Sequence, residues 1–345
     1  MNKTVRFAEP KHKTAYIGVY DVKKGEGMAY ICSAGLGIPE NRMTQEQAKN
    51  IVKEVLPMFN HQLKKLMPVF DNANIHERQM VVSEDWLKKE HTFSERNDLY
   101  SHLALKYALE AIDHCLSNDH FLKDTIPYES IDMVMYVSST GMSTPSLDAY
   151  ILNERPFHER VNRMPLWGLG CAGGAIGLSR AYDYLKAHPS KSVLVICAEL
   201  CSLTFQKNDL KMSNLIGTAL FGDGVAAILL CGEESPFLSL CKVTIPKITK
   251  TDSFTLKKST SIMGWNITNR GFEVVFSKEI PNLVNTLWKD HVNTFLGNEN
   301  LREQEIHSFI AHPGGKKVLE AMEDSLAIPK YKLAKSYEVL HDHGN

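Results

Sequence analysis

What this 345-residue sequence lacks narrows its chemistry before any motif is weighed. No Cys-x-x-Cys pair occurs, and the seven cysteines (Cys32, Cys115, Cys171, Cys197, Cys201, Cys231 and Cys241) are odd in number and lie mostly in apolar runs. A zinc site or a disulfide framework is therefore disfavoured, no metal is expected, and a reducing cytoplasm is the simplest compartment. Long blocks of like charge are missing too: 39 Lys and Arg against 40 Asp and Glu leave a formal charge of -1. That balance gives no footprint for nucleic acid or an anionic membrane surface. The most apolar stretch, Val225 to Cys231, falls far short of the roughly 20 residues of a membrane span. The N-terminus lacks the apolar core of a signal peptide. A cytosolic protein without integral membrane association, working on small molecules, is the expectation.

What is present is a chain 43% hydrophobic, enough for one large or two ordinary domains. Residues 1–27 are basic and polar and read as an N-terminal arm or extension. Met28 to Cys32 reads as a first core strand. A helix follows over Thr44 to Phe59, where Thr44 and Gln47 have the form of a capping box. Lys64, Lys65 and Arg78, beyond it, read as a solvated basic face. Asn97 to Leu116 is a second helix, with Ser94 or Asn97 as its start, and leads into the strand Met133 to Val137 and the turn at Ser138 to Gly141. The same order recurs where a helix over Ile280 to Leu296 precedes a strand over His307 to Ala311 and the turn Pro313-Gly314-Gly315. Between them lie a helix from Ala175 to Ala187 and strands over Val193 to Ala198 and Val225 to Leu230. Short apolar strands alternating with helices predict an α/β protein with a sheet covered on both faces. Two related halves are expected, 28–235 and 236–345.

Cys171 stands in Gly168-Leu169-Gly170-Cys171-Ala172-Gly173-Gly174, directly before a helical run. A helix start offers unpaired N–H groups and a partial positive charge, which favours thiolate over thiol. His312, before Pro313-Gly314-Gly315, and Asn345, after Gly344, are the side chains able to accept its proton or to steady charge on a carbonyl oxygen. Alone, a cysteine at a helix start or a histidine at a strand end is as well explained as structural.

Taken together, Gly170-Cys171-Ala172-Gly173-Gly174, Leu220-Phe221-Gly222-Asp223-Gly224, His312-Pro313-Gly314-Gly315 and Gly344-Asn345 resemble the motif set of the bacterial-type type III polyketide synthases. These are the chalcone and stilbene synthase family on the thiolase fold. The resemblance runs from about Met28 to the last residue. It implies two thiolase-like α/β halves with mixed five-stranded sheets, layered α-β-α-β-α, and a homodimer. It also implies an acyltransferase that loads an acyl group from acyl-CoA onto Cys171. His312 and Asn345 then bind malonyl-CoA and steady the enolate left by decarboxylation, and a Claisen condensation extends the chain toward pyrone- or resorcinol-type products. Coenzyme A thioesters are substrates, and no cofactor is implied. Phe221 falls at a gatekeeper position. Val274 stands where plant-type members carry an aromatic residue, which favours long or bulky aliphatic starters. Thr204, Ser139 and Thr140 fall at cavity-lining positions.

Family members continue past the asparagine with a further apolar strand. The expectation is therefore that a chain ending here is a fragment, or is inactive or poorly folded, with its asparagine on a fraying terminus. Two rival readings stand beside the main one: a ketoacyl-carrier-protein synthase III-like enzyme, and a non-catalytic relative that binds acyl-CoA. A cysteine hydrolase is less well matched by the motifs.

Overall fold

The computed structural model of the chain describes residues 27–56 and 66–345. The arm expected over residues 1–27, but for Gly27, and Lys64 and Lys65 lie outside them. A six-stranded mixed sheet organises the first half, in the order β5-β4-β6-β7-β1-β8. Its strands are β1 (Ala29–Gly37), β4 (Met133–Ser138), β5 (Asn162–Trp167), β6 (Ser192–Leu200), β7 (Asp223–Gly232) and β8 (Lys247–Ile248). β4 runs parallel to β5 and β6, whereas β7 is antiparallel to both β6 and β1.

Strand periodicity sorts the side chains to two faces. Val134 and Tyr136 of β4 join Leu194, Ile196 and Ala198 of β6 in one apolar layer under helix α2 (Phe93–Ser117). Met133, Met135 and Val137 join Val193 and Val195 in another, covered by Ala181, Tyr182 and Leu185 of helix α3 (Gly173–Ala187). A sheet buried on both faces explains why its strands read as continuous apolar runs.

The helix starts follow local chemistry. Thr44 caps α1 (Gln45–Val55) with a full capping box, as its spacing with Gln47 predicts. For α2 the cap is Thr92 paired with Glu95, two residues before the earlier of the two expected starts, because Ser94 and Asn97 lie inside the helix. Arg78, expected on a solvated face, is wholly buried in β3 (Glu77–Met80), which pairs with β2 (Asn41–Thr44). It donates to Gln45 Oε1 at 2.5 Å and to Thr218 O at 2.6 Å, tying three segments together.

The second half differs from expectation. Helix α4 (Ile280–Leu283) passes through a π-turn, Val284–Trp288, into Lys289–Asn298; α5 (Lys316–Leu326) packs against it, and its Leu319 and Met322 share one apolar cluster with Leu333 and with Leu340 of α6 (Ala334–His343). No second five-stranded sheet forms among the described residues. The half contributes the hairpin of β9 (Met263–Thr268) and β10 (Gly271–Phe276), and β8 joins the first sheet. The strand expected over His307 to Ala311 is irregular backbone. A strand is defined by its partner, and here Phe309 N–H donates to Lys332 O and Ala311 N–H to Ser336 Oγ.

Asn345 is tied to the first half through its backbone. Its N–H donates to Leu220 O at 2.8 Å and its O accepts from Gly222 N–H at 2.9 Å. Only glycine fits at 222, since a Cβ there would stand 2.4 Å from His343 O.

Candidate active site

Strand β5 delivers the chain to Gly168 and Gly170, both at positive φ (81° and 53°), where glycine carries no penalty. The backbone then tightens into a 3-10 turn, Gly170–Ala172, that opens α3. No side chain caps that helix, so its first N–H groups face the surroundings of Cys171.

Cys171 is exposed as a residue, yet protein crowds its sulfur enough that desolvation and the neighbouring Glu199 carboxylate push the thiol up to about 11. This is opposite to the lowering expected of a helix start alone. The ends of β4 and β6 explain it. Glu199 accepts from Ser139 N–H at 3.2 Å and from Ser139 Oγ at 2.9 Å, while Thr140 Oγ1 accepts from Leu200 N–H at 2.9 Å beside it. Burial lifts Glu199 to about 7 despite those donors, and its charge also raises Cys197 and Cys201. Reading the motifs missed Glu199; the available signal was an acid in an otherwise apolar strand.

His312 lies in the irregular segment before α5, and burial lowers its pKa below the ordinary histidine value. It is a neutral base at pH 7. Its loop and Asn345 converge on one residue: a Cβ at Gly315 would lie 3.5 Å from the Leu220 side chain, and Asn345 bonds to Leu220 O. The Asn345 carboxamide nitrogen is buried without a partner. Cys171, His312 and the Asn345 side chain make no hydrogen bond to one another among the described residues.

Phe221, Val274 and Thr204 line one recess, with Cys201 and Ser202 at one side and an apolar wall of Met43, Ala48, Ile51, Met80, Leu87 and Phe205. Phe221 and Val274 flank Gly217, and the Phe221 ring meets Trp265 edge-on at 5.9 Å. Val274 faces Trp265 across the β9–β10 hairpin, an aromatic neighbour that the motifs left unmarked. Asp223 opens β7 and is buried. It accepts from Val81 N–H at 2.6 Å and Ser202 N–H at 2.7 Å, tying two segments beside the recess to β7.

Two family models match the chain: the N-terminal domain of chalcone and stilbene synthases over residues 19–234, and the C-terminal domain over residues 248–345. A chalcone synthase-like protein of Bacillus subtilis (strain 168) is 46% identical over 92% of this chain and 87% of its own length. The 1,3,6,8-tetrahydroxynaphthalene synthase of Streptomyces peucetius subsp. caesius is 30% identical over 94% and 83%. Among solved structures, the 1,3,6,8-tetrahydroxynaphthalene synthase of Streptomyces coelicolor A3(2), a bacterial type III polyketide synthase, superposes with a TM-score of 0.81 at 23% identity, covering 92% of this chain and 86% of that one. PKS-I of the brown alga Ectocarpus siliculosus gives 0.83 at 23% identity and the same coverage. These two likenesses establish the thiolase-like fold.

Proposed function

This chain belongs to the chalcone and stilbene synthase family, and from that premise we propose that it condenses acyl-CoA starters with malonyl-CoA on Cys171. It is an acyltransferase of the type III polyketide synthase kind. The observation that carries the substrate reading is the recess, whose lining includes Met43, Ala48, Ile51, Met80 and Leu87 and pairs Phe221 with the small Val274. A hydrocarbon starter gains about 0.8 kcal/mol for each methylene it buries there. Long or bulky aliphatic starters therefore suit it better than rigid aromatic ones.

In the loading step His312 takes the Cys171 proton. The resulting imidazolium offsets the push of Glu199 and burial on the sulfur. The thiolate attacks the thioester carbonyl, the carbon–sulfur bond to coenzyme A breaks, and coenzyme A leaves as its thiol with the proton that His312 returns. Malonyl-CoA then loses carbon dioxide while His312 and the unpartnered Asn345 carboxamide donate to its thioester oxygen. The enolate carbon attacks the acyl group on Cys171, and the sulfur leaves. The carbanion comes from decarboxylation, so neither a metal nor an organic cofactor is part of the proposal.

Among the described residues no helix is long and apolar enough to cross a membrane. Cytoplasmic residence is supported by seven free thiols. Pairing into a homodimer is supported by the open edge of β5, where Trp167 is 49% exposed.

The test is incubation of the protein with a panel of acyl-CoA starters and malonyl-CoA, with products read by mass spectrometry. Pyrones that lengthen in two-carbon steps support the reading. A single β-ketoacyl product that needs carrier protein would favour the ketoacyl synthase reading, and an iodoacetamide-inert Cys171 the non-catalytic one.

A further inference from the structure

Asn345 is seated on the end of helix Met212–Leu220. Carbonyls in the last turn of a helix have no partner further along it and must be met from outside. Thr218 O accepts from Arg78 Nη2 at 2.6 Å, and Ala219 O accepts from Gln45 Nε2 at 3.0 Å and from Arg78 Nη1 at 3.3 Å. Leu220 O, the next in line, accepts from Asn345 N–H at 2.8 Å. A cation at the negative end of a helix is favourably placed, so the wholly buried guanidinium fixes the direction of the turn on which Asn345 rests. The stem of Arg78 also lies against the residue before Asn345, since a Cβ at Gly344 would stand 3.4 Å from Arg78 Cδ.

The residues beside Arg78 hold the approach to Asn345 from the end of α6. His76 N–H donates to His341 O at 2.7 Å, and the buried Gln79 accepts at Oε1 from His343 Nδ1 at 2.9 Å. The Asn345 carboxamide nitrogen itself is buried with no partner among the described residues. Its aim is therefore inherited from the backbone that carries it.

We propose that Arg78 and Gln79 are positioning residues for the Asn345 carboxamide, setting the place from which it meets the malonyl thioester oxygen. The inference rests on the role given to Asn345 under Proposed function. Arg78 acts by completing the helix end that binds the Asn345 backbone, and Gln79 by tethering the turn before it through His343. Neither has to touch the reacting atoms, because a donor displaced by about 1 Å already costs on the order of 10² in rate.

Full chains carrying Gln79→Leu, Arg78→Met, Asn345→Ala or the Gln79→Leu and Asn345→Ala pair are checked by circular dichroism. They are assayed for carbon dioxide release from malonyl-CoA and, separately, for acylation of Cys171 by acyl-CoA, read by intact mass. Gln79→Leu should lower kcat for carbon dioxide release by about 10–10²-fold, leave KM for malonyl-CoA and the acylation rate within about twofold, and add nothing to Asn345→Ala. Arg78→Met leaves two helix carbonyls unpaired and may not fold; where it folds it should show the same split, and Gln79→Leu decides the matter where it does not. Equal loss in both steps, unchanged carbon dioxide release in Gln79→Leu, or additive losses in the pair would each overturn the proposal. Wild-type release by Asn345→Ala would overturn the role of Asn345 and this inference with it, whereas slow release by Asn345→Ala beside normal release by Gln79→Leu would overturn the inference alone.

Discussion

The two halves of the molecule hold their reactive residues by different means. Cys171 follows a strand in register with β4 and opens an uncapped helix on a sheet buried on both faces. His312 rides on irregular backbone fastened by isolated hydrogen bonds, and Asn345 is fastened to Leu220 and Gly222 of the first half. A sheet fixes its residues through many cooperative contacts, while a segment with few bonds opens locally at lower free energy. Cys171 is thus held by the sheet of the first half, and Asn345 is positioned by bonds between the halves.

Removing the fixed partner should have the largest effect. Cys171→Ala is expected to abolish product in the starter assay, a loss of a thousandfold or more, with circular dichroism unchanged. His312→Ala should cost about 10²–10⁴ in kcat. In the wild type the buried imidazole titrates below pH 6.5, so activity should persist below that pH and fall only as His312 protonates. A pH–rate profile of the two proteins decides this.

Packing in the two halves can be compared directly, since Leu194 and Leu319 are both fully buried. Each replacement by alanine should cost about 2–5 kcal/mol in denaturant titrations. Leu319→Ala should also speed amide exchange over residues 306–315 while leaving β4 and β6 protected, whereas equal loss in both halves would erase the contrast.

Glu199→Gln probes the electrostatics of the rigid side. Its carboxyl holds a proton up to about pH 7 in the folded protein and only to about 4.5 when unfolded. Between those values the native state binds more protons, so wild-type stability should fall as pH rises through that window, by on the order of 1–3 kcal/mol. The glutamine variant should be flat there, and its Cys171 should alkylate several-fold faster at pH 8. The smallest effect belongs to the recess gate. Val274→Phe should shift preference toward shorter starters by about tenfold, measured as a ratio of kcat/KM values.

Much of the architecture was legible in the chain. The runs that became β4, β6 and β7 are continuous and apolar, and the Thr44–Gln47 spacing marks its helix start. Phe221, Val274 and Thr204, distant along the chain, line one recess. Ser139 and Thr140 reached the site by another route, through Glu199. The strand at His307 to Ala311 misled because its local pattern says nothing of a partner. Arg78 misled because a basic side chain is ordinarily solvated, and here three acceptors from two other helices replace the water.

By itself, the sequence determined the apolar strands β4, β6 and β7, the capped start of α1 and the family to which the chain belongs, because periodicity, caps and motif words act over short separations. Tertiary structure alone decided that burial and the neighbouring Glu199 lift the Cys171 pKa, that Asn345 is held at Leu220, and that the second half builds no five-stranded sheet of its own among the described residues. Desolvation and strand pairing arise between residues distant along the chain, and they exist only once the chain has folded.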